Sequence, residues 1–145
     1  MAAQTWVFNA FLEAQADGTN DFSSHNYKAA LMDTGYSPDI DADEGWADVS
    51  ADEVGVVSGY TANGETLANV AITRYDATNK TIVSWDQVRW DLPDGLDDIK
   101  GIMVYNDSVA GKTLIAFYEQ AAAVDVGTGS AFVAEPTVQF NNGGV

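Results

Sequence analysis

The sequence contains no cysteine, a single histidine and six basic residues, and each of these shortages excludes a class of function. The absence of cysteine excludes thiolate catalysis, iron–sulfur clusters and cysteine-ligated zinc. Since His25 is the one histidine, a zinc site built from several histidines is excluded as well. No stretch of about 20 consecutive apolar residues occurs, so we predict no transmembrane helix.

The few basic residues leave a net charge of -16, because 22 acidic residues face six lysines and arginines. Binding to nucleic acids or to anionic membrane surfaces depends on cationic groups, so we expect neither kind of partner. Molecules of this charge repel one another unless salt screens them. An acid-rich, lysine-poor composition is therefore typical of proteins from saline (halophilic) surroundings. An acidic protein from an ordinary environment has a similar composition, and the sequence leaves both interpretations open.

A helix is predicted from about residue 4 to residue 17, since apolar side chains recur there at helical spacing. Gly18 provides an end for it. Glu13 interrupts the apolar stretch and no basic segment precedes it, so we expect no secretion signal and synthesis in the cytoplasm of the host cell. We expect the helix to pack on a sheet of its own chain; a helix that binds a partner or a membrane is the alternative. The apolar stripe consists of Val7, Phe8, Phe11, Leu12 and Ala14.

The remainder of the chain consists of short segments rich in Val, Ile, Thr and aromatic residues, separated by turns of Gly, Asn and Asp. Such spacing favours a mainly β fold, an antiparallel β-sandwich or barrel with a short N-terminal α-helix. A chain of 145 residues is most naturally one domain, so we assign residues 1–145 to a single β-rich domain. Strands are predicted at about residues 27–32, 66–75, 81–85, 100–105, 113–119 and 131–140.

Two of the predicted strands are apolar on both faces. Strands of this kind need cover on both sides. We expect a second sheet on one side, and the helix or another subunit on the other. The alternating sets are Ile102 and Val104 against Met103 and Tyr105 in the first strand, and Ile115 and Phe117 against Leu114, Ala116 and Tyr118 in the second.

The last predicted strand contains Pro136, which cannot donate a ladder hydrogen bond. We therefore expect that strand to lie at a sheet edge or to be kinked. The terminal run NNGGV is polar and glycine-rich, and we expect it to be mobile or held by a partner.

Catalytic groups do not form a recognisable constellation. His25 stands near Ser23 and Ser24, but a Ser–His–Asp site needs the base within hydrogen-bond reach of the nucleophile, and this spacing does not supply it. Carboxylates are so numerous that no pair singles out a glycosidase site. We therefore predict no catalytic residue, no cofactor and no enzymatic activity.

The run SPDIDADEGWADVSADEVG, residues 37–55, comes closest to a binding site; we call it the acidic segment. It carries seven acids and no base, and Asp39, Asp41 and Asp43 alternate as calcium ligands do. An EF-hand is excluded, because its sixth position is Glu44 and its twelfth is Ser50. An irregular calcium site on the three aspartates remains the metal candidate. The alternative is a solvated loop anchored by Ile40, Trp46 and Val49.

Five segments follow one another in a characteristic order: AALMDT, YSPDID, EVGVVSGYTANG, TLANV and VSWDQVRW, at residues 29–34, 36–41, 53–64, 66–70 and 83–90. With the downstream KGIMVYND and LIAFYE, this order resembles a family of small virion-associated proteins of tailed phages and related archaeal viruses. The segment DLPDGLDD is longer than the family pattern.

The resemblance implies a structural virion protein, and among these a capsid decoration (cement) protein that binds the outside of the head and stabilises it. It implies the major capsid protein and further copies of the chain, as a homotrimer, as partners. Two alternatives stay open: a tail or fibre component of the virion, and a small acidic glycan-binding β-sandwich. Because Tyr and Trp often anchor interfaces, the interface candidates are Trp6, Trp46, Tyr60 and Trp90; burial of the tryptophans in the core is the alternative.

Overall fold

A computed structural model describes residues 3–141, which form ten β-strands and two α-helices. The helices are α1 (Asn9–Asp17) and α2 (Trp46–Val49). The strands are β1 (Gln4–Val7), β2 (Tyr27–Asp33), β3 (Glu65–Thr66), β4 (Ala71–Tyr75), β5 (Lys80–Ser84), β6 (Val88–Leu92), β7 (Leu96–Asn106), β8 (Leu114–Val126), β9 (Ser130–Ala134) and β10 (Thr137–Asn141).

The strands form three sheets in which every pair is antiparallel. The largest sheet has the order β1-β8-β7-β2-β3, and the two others have the orders β10-β5-β4 and β6-β9. The sheets pack together as in a β-sandwich, and a short helix lies near the N-terminus. The predicted fold class is thereby confirmed.

β7 occupies the centre of the largest sheet and buries apolar side chains on both faces. Ile102 and Val104 belong to one buried cluster, and Met103 and Tyr105 belong to another. The alternation predicted for this strand is confirmed, because its pairing with β2 runs without a register shift across these four residues.

On β8 the predicted faces are wrong at Leu114 and Ile115. The pairing with β7 passes from Val104 opposite Ala116 directly to Tyr105 opposite Leu114, so Ile115 is an extra residue in the ladder. Such a bulge reverses the alternation beyond it. Ile115 therefore joins Ala116 in the first cluster, whereas Leu114 lies in the second.

The two faces of β7 and β8 are covered by different parts of the chain. The smaller sheets cover the first cluster with side chains such as Val83 and Trp90. The second cluster is covered by Phe8, by Tyr36 and by Trp46 of the acidic segment. The helix was therefore the wrong choice of cover for this face, since α1 directs Phe11 into the first cluster instead. A contact with another subunit stays a prediction.

The predicted helix begins at Asn9 rather than at residue 4. Gln4–Val7 form β1, which pairs with β8 from Gln4 opposite Glu119 to Val7 opposite Ala116. Pairing with β8 satisfies backbone groups along its edge, and this tertiary contact overrides the local helical spacing. Gly18 ends the helix with φ of 80°, as predicted.

Two predicted strands are each divided. Residues 66–75 separate into β3 and β4 because Asn69 between them has φ of 54°, which a strand cannot continue through. Residues 131–140 separate into β9 and β10, which flank Pro136 and belong to different sheets. Pro136 therefore joins two strands instead of kinking one.

The other differences concern strand extent. β8 continues to Val126 instead of ending at residue 119, and the predicted strands do not include β6. In β6, Val88, Trp90 and Leu92 are buried in strict alternation with two exposed charged residues. The end of the NNGGV run, from residue 142 on, lies outside the described residues.

At Gly64 the backbone lies so close to β2 that there is no room for a side chain. Its φ is 80°, and a Cβ there would lie 2.1 Å from the carbonyl oxygen of Ala29. Gly18 has the same φ of 80°, but a Cβ there would meet no atom within 4 Å from the parts of residues 3–141 that pack around the helix end. We expect Gly18→Ala to lower the free energy of unfolding by about 1–2 kcal/mol through its conformation alone. Gly64→Ala should lower it by at least about 3 kcal/mol, because the backbone must also move. Urea unfolding measures both, and equal losses would contradict this packing.

Candidate interaction surface

The three aspartates proposed as calcium ligands lie in the first turns of the acidic segment, and each accepts different hydrogen bonds. Asp39 accepts backbone N–H groups of Asp41 and of the next residue, both at 3.1 Å. Asp43 accepts the Tyr36 hydroxyl at 2.8 Å and the Asp39 N–H at 3.0 Å. Asp41 accepts the side-chain amide of Asn9. Within residues 3–141, no three Asp, Glu or His side chains come together as metal ligands would.

Two further acids hold the acidic segment in shape. Asp48 accepts the N–H groups of Gly45 and Glu44, both at 3.0 Å, at the start of α2. These two hydrogen bonds lower the pKa of Asp48 below its ordinary value. Glu53 accepts the hydroxyl of Tyr60 at 3.0 Å. Hydrogen bonds to its own carboxylates therefore fix the conformation of the acidic segment.

Trp46 and Tyr60, two of the interface candidates, are buried within the chain. Trp46 is 6% exposed and stacks on Tyr105, with the ring centroids 4.6 Å apart. Tyr60 is 2% exposed, and its hydroxyl accepts the N–H of Leu31 at 3.0 Å. Burial raises the pKa of Tyr60. Side chains packed in this way offer no surface to a partner, so the prediction of interface anchors is wrong for both.

Trp90 is also an internal residue, whereas Trp6 keeps a position at the surface. Trp90 is 1% exposed and lies between Tyr60 and Phe132. It too is therefore wrong as an interface anchor. Its indole N–H is the one buried side-chain donor within residues 3–141 that has no hydrogen-bond partner. Trp6 is half-buried on β1, and its indole N–H donates to Glu119 at 2.8 Å.

Glu119 connects β1 to the rest of the largest sheet. Besides accepting from Trp6, its carboxylate lies 3.8 Å from Nζ of Lys100 on β7. Lys100 in turn donates to the carbonyl oxygen of Tyr36, next to the acidic segment. This half-buried network fixes the position of β1 relative to β7 and β8.

His25 lies in the turn that precedes β2. Its Nδ1 is 2.9 Å from the side-chain amide of Asn106. The hydroxyls of Ser23 and Ser24 donate to Asp21 at 2.6 Å and 2.7 Å, not to His25. These neighbours therefore form a hydrogen-bonded turn and not a nucleophile–base pair.

An acidic cleft lies between α1 and the acidic segment. Its volume is about 520 Å³. Four of its ten lining residues are carboxylates, Glu13, Asp41, Glu44 and Asp48, and no base is among them. Four carboxylates around one cleft, with no base to offset them, give this side of the molecule a negative potential, which disfavours anionic partners.

A second depression, the charge-poor groove, lies between β1 and β10, the edge strands of two different sheets. It consists of two adjoining hollows of about 380 Å³ and 230 Å³ that share Tyr118 and Glu135. The hydroxyl of Tyr118 donates to the carbonyl oxygen of Thr137 across the groove. Glu135 is the single charged residue among the thirteen that line it: Thr5, Val7, Ile102, Ala116, Tyr118, Gln120, Val133, Ala134, Glu135, Pro136, Thr137, Val138 and Gln139.

Sequence reasoning misses this groove because one wall comes from β1 near the start of the chain, and the other walls come from β8 and the β9–β10 connection near its end. A usable signal does exist. The runs QTWV, QAAAV and PTVQF, at residues 4–7, 120–124 and 136–140, carry no charge in a chain of net charge -16. Uncharged stretches in so acidic a chain indicate either core or contact surface.

No protein-family model, curated protein or solved structure matches this chain. The described residues contain no helix that is both long enough and apolar enough to cross a membrane. The charge-poor groove is therefore identified from its geometry and composition.

We expect calcium to leave the melting temperature unchanged when ionic strength is held constant, because Asp39, Asp41 and Asp43 do not converge. Replacing all three by Asn should preserve the fold, since an amide oxygen can accept the same hydrogen bonds. The variant should gain less stability from added salt, because it carries less charge to screen. Thermal melts in CaCl₂ and in NaCl of equal ionic strength measure this. A calcium-dependent rise that the triple variant loses would contradict it.

Asp21 should contribute stability that disappears in acid. Hydrogen bonds from Ser23, Ser24 and the backbone lower the pKa of Asp21 to about 2 from 3.8. Because the folded pKa is the lower one, this contribution is present above pH 3.8 and is lost as pH falls towards 2. Thermal melts should therefore show Asp21→Asn less stable than the wild type at pH 6, with the gap closing between pH 4 and pH 2.

Asp97→Asn is the matched control for this experiment. It makes the same change of charge, at a side chain that is exposed to the solvent. A gap of equal size at pH 6 and pH 2 for Asp21→Asn, after subtraction of the control, would show that the turn contributes nothing through its charge.

Proposed function

We propose that this chain is a capsid decoration (cement) protein, a non-enzymatic structural protein that binds the outside of a viral head and stabilises it. The observation that carries the proposal is the charge-poor groove between the edges of β1 and β10. The sequence resemblance to small virion-associated proteins supports the same class of function.

A contact surface on this molecule must avoid its charge. Depletion of charged residues at the centre is the compositional mark of protein–protein interfaces. The acidic cleft has four carboxylates among ten lining residues, whereas the groove has one charged residue among thirteen. The groove is therefore the better-suited surface for contact with a shell protein.

The walls of the groove also present backbone groups to a partner. Among the described strands, β1 pairs with β8 alone and β10 pairs with β5 alone. Each strand therefore has one edge that is open to a further strand, and extended segments commonly bind in this way. A shell protein that supplies an extended, uncharged segment fits this site.

The acidic remainder of the surface is suited to contact with the solvent and not with the shell. Carboxylates that stay in water keep particles apart by repulsion, and screening by salt makes such a surface tolerable in saline surroundings. We infer that the acidic segment faces away from the shell. The proposed partners are the major capsid protein and two further copies of the chain, and the proposed location is the virion after synthesis in the host cytoplasm.

Rebinding to depleted particles tests the proposal. We expect the purified chain to rebind to heads from which it has been removed and to raise their resistance to heat. Val7→Glu places a charge in the groove at a residue that is 38% exposed in the isolated chain. It should weaken rebinding at least tenfold, since a carboxylate would be buried without a partner.

Val56→Glu is the matched control, because Val56 is 67% exposed and lies away from the groove. It should rebind like the wild type, and both variants should keep the wild-type melting temperature within a few degrees. Equal rebinding by both variants would overturn the role of the groove. A copy number too low to cover the head would favour a tail component, and binding of the isolated chain to glycans would favour the glycan-binding alternative.

A further inference from the structure

The hairpin of β4 and β5, residues 71–84, packs on the core through Val83 of β5 and leaves β4 in the solvent. All five residues of β4 are exposed, including Ile72 at 55% and Tyr75 at 45%. Among the described strands, β4 pairs with β5 alone. The outer edge of β4 therefore presents backbone N–H and C=O groups to the solvent.

This edge lacks the features that usually keep exposed strands from pairing. Natural edge strands are protected by proline, bulges, several charges or very short length. β4 contains no proline, and its pairing with β5 runs without a bulge from Ala71 opposite Ser84 to Tyr75 opposite Lys80. Arg74 is its one charged residue. An edge of this kind is suited to accept another strand.

We propose that β4 pairs in antiparallel fashion with β4 of a second copy about a two-fold axis. The two sheets of order β10-β5-β4 then become one continuous sheet of about six strands. This contact is distinct from the three-fold assembly proposed above, and it does not depend on the proposed function.

The choice of a second copy as the occupant follows from charge. The hairpin carries Arg74 and Lys80 against Asp76, a local net charge of +1 in a chain of net charge -16. Two strongly acidic molecules meet with least repulsion where their surfaces are least acidic. The ion pair between Arg74 and Asp76 is 79% and 76% exposed, so it does not keep Arg74 from an additional partner.

Antiparallel pairing also brings opposite charges together. It places the tip of each hairpin, near Arg74, beside the base of the other. At the base, the carboxylate of Asp86 accepts the amide of Asn69 at 2.6 Å, next to the start of β4. Within one chain Arg74 lies opposite Thr81, five residues before Asp86, which is about 17 Å along a strand. Attraction between Arg74 and Asp86 is therefore possible only between copies.

A charge swap tests the pairing. A single strand edge is a small interface, so we expect a dimer that forms reversibly between about 10 µM and 1 mM. Sedimentation equilibrium should show Arg74→Asp and Asp86→Lys each weakening the dimer several-fold, and the double variant restoring it. Arg74→Gln serves as a milder variant if the reversal affects folding. A monomer at 1 mM, or weakening without restoration, would overturn the proposal.

The absence of cysteine permits a second, independent measurement. Single cysteines placed in turn at residues 71 to 75 should form disulfide-linked dimers under mild oxidation, with a maximum at the residue nearest the two-fold axis. Thr128→Cys, an exposed residue of the β8–β9 turn, is the control and should stay monomeric. Cross-linking that is as strong at residue 128, or that has no maximum along β4, would overturn the proposed contact.

Discussion

The need to cover both faces of β7 and β8 is the constraint on which the rest of the structure depends. Met103 and Phe117 on one face and Val104 and Ile115 on the other are all 0% exposed. Each such side chain contributes about 1.5–3 kcal/mol when it is removed from water. One layer of sheet covers a single face, so the chain must supply a second cover from another segment.

The acidic segment supplies that cover, and this changes its interpretation. Its aromatic and aliphatic residues, Trp46 above all, pack downward on Tyr105, while its carboxylates accept hydrogen bonds from the turns of the segment itself. Acidity and burial are thus combined in one stretch of sequence without burying a charge. Asp39 and Asp43, which resemble calcium ligands in the sequence, serve instead as hydrogen-bond acceptors for the backbone of these turns.

The charge distribution follows from the same arrangement. Carboxylates gather where the acidic segment and α1 meet the solvent, whereas the edges of β1 and β10 leave a groove with a single carboxylate. The β4 edge is a second region of low charge, on another part of the fold. A strongly acidic molecule with two such regions can make specific contacts there, while the rest of its surface repels further copies of the chain.

Sequence reasoning reached the fold class and the faces of β7, because alternation along an uninterrupted strand is a local property. It failed where a distant segment decides the outcome. Gln4–Val7 became a strand because β8 offered an edge, and Ile115 changed face because of a bulge in its pairing with β7. Trp46 and Trp90 were indistinguishable from surface anchors by residue type, since aromatics serve both cores and interfaces. The groove could not be predicted, because no local sequence pattern shows that β1 lies beside β8 and β10.

Cryo-microscopy of virus particles from a host in which this chain is produced tests the proposed decoration role most directly. If the chain is a decoration protein, its sandwich will occupy repeated sites on the outside of the head, with the edges of β1 and β10 against the shell and the acidic segment turned to the solvent. Density confined to the tail, or a shell contact made through the acidic cleft, would contradict it.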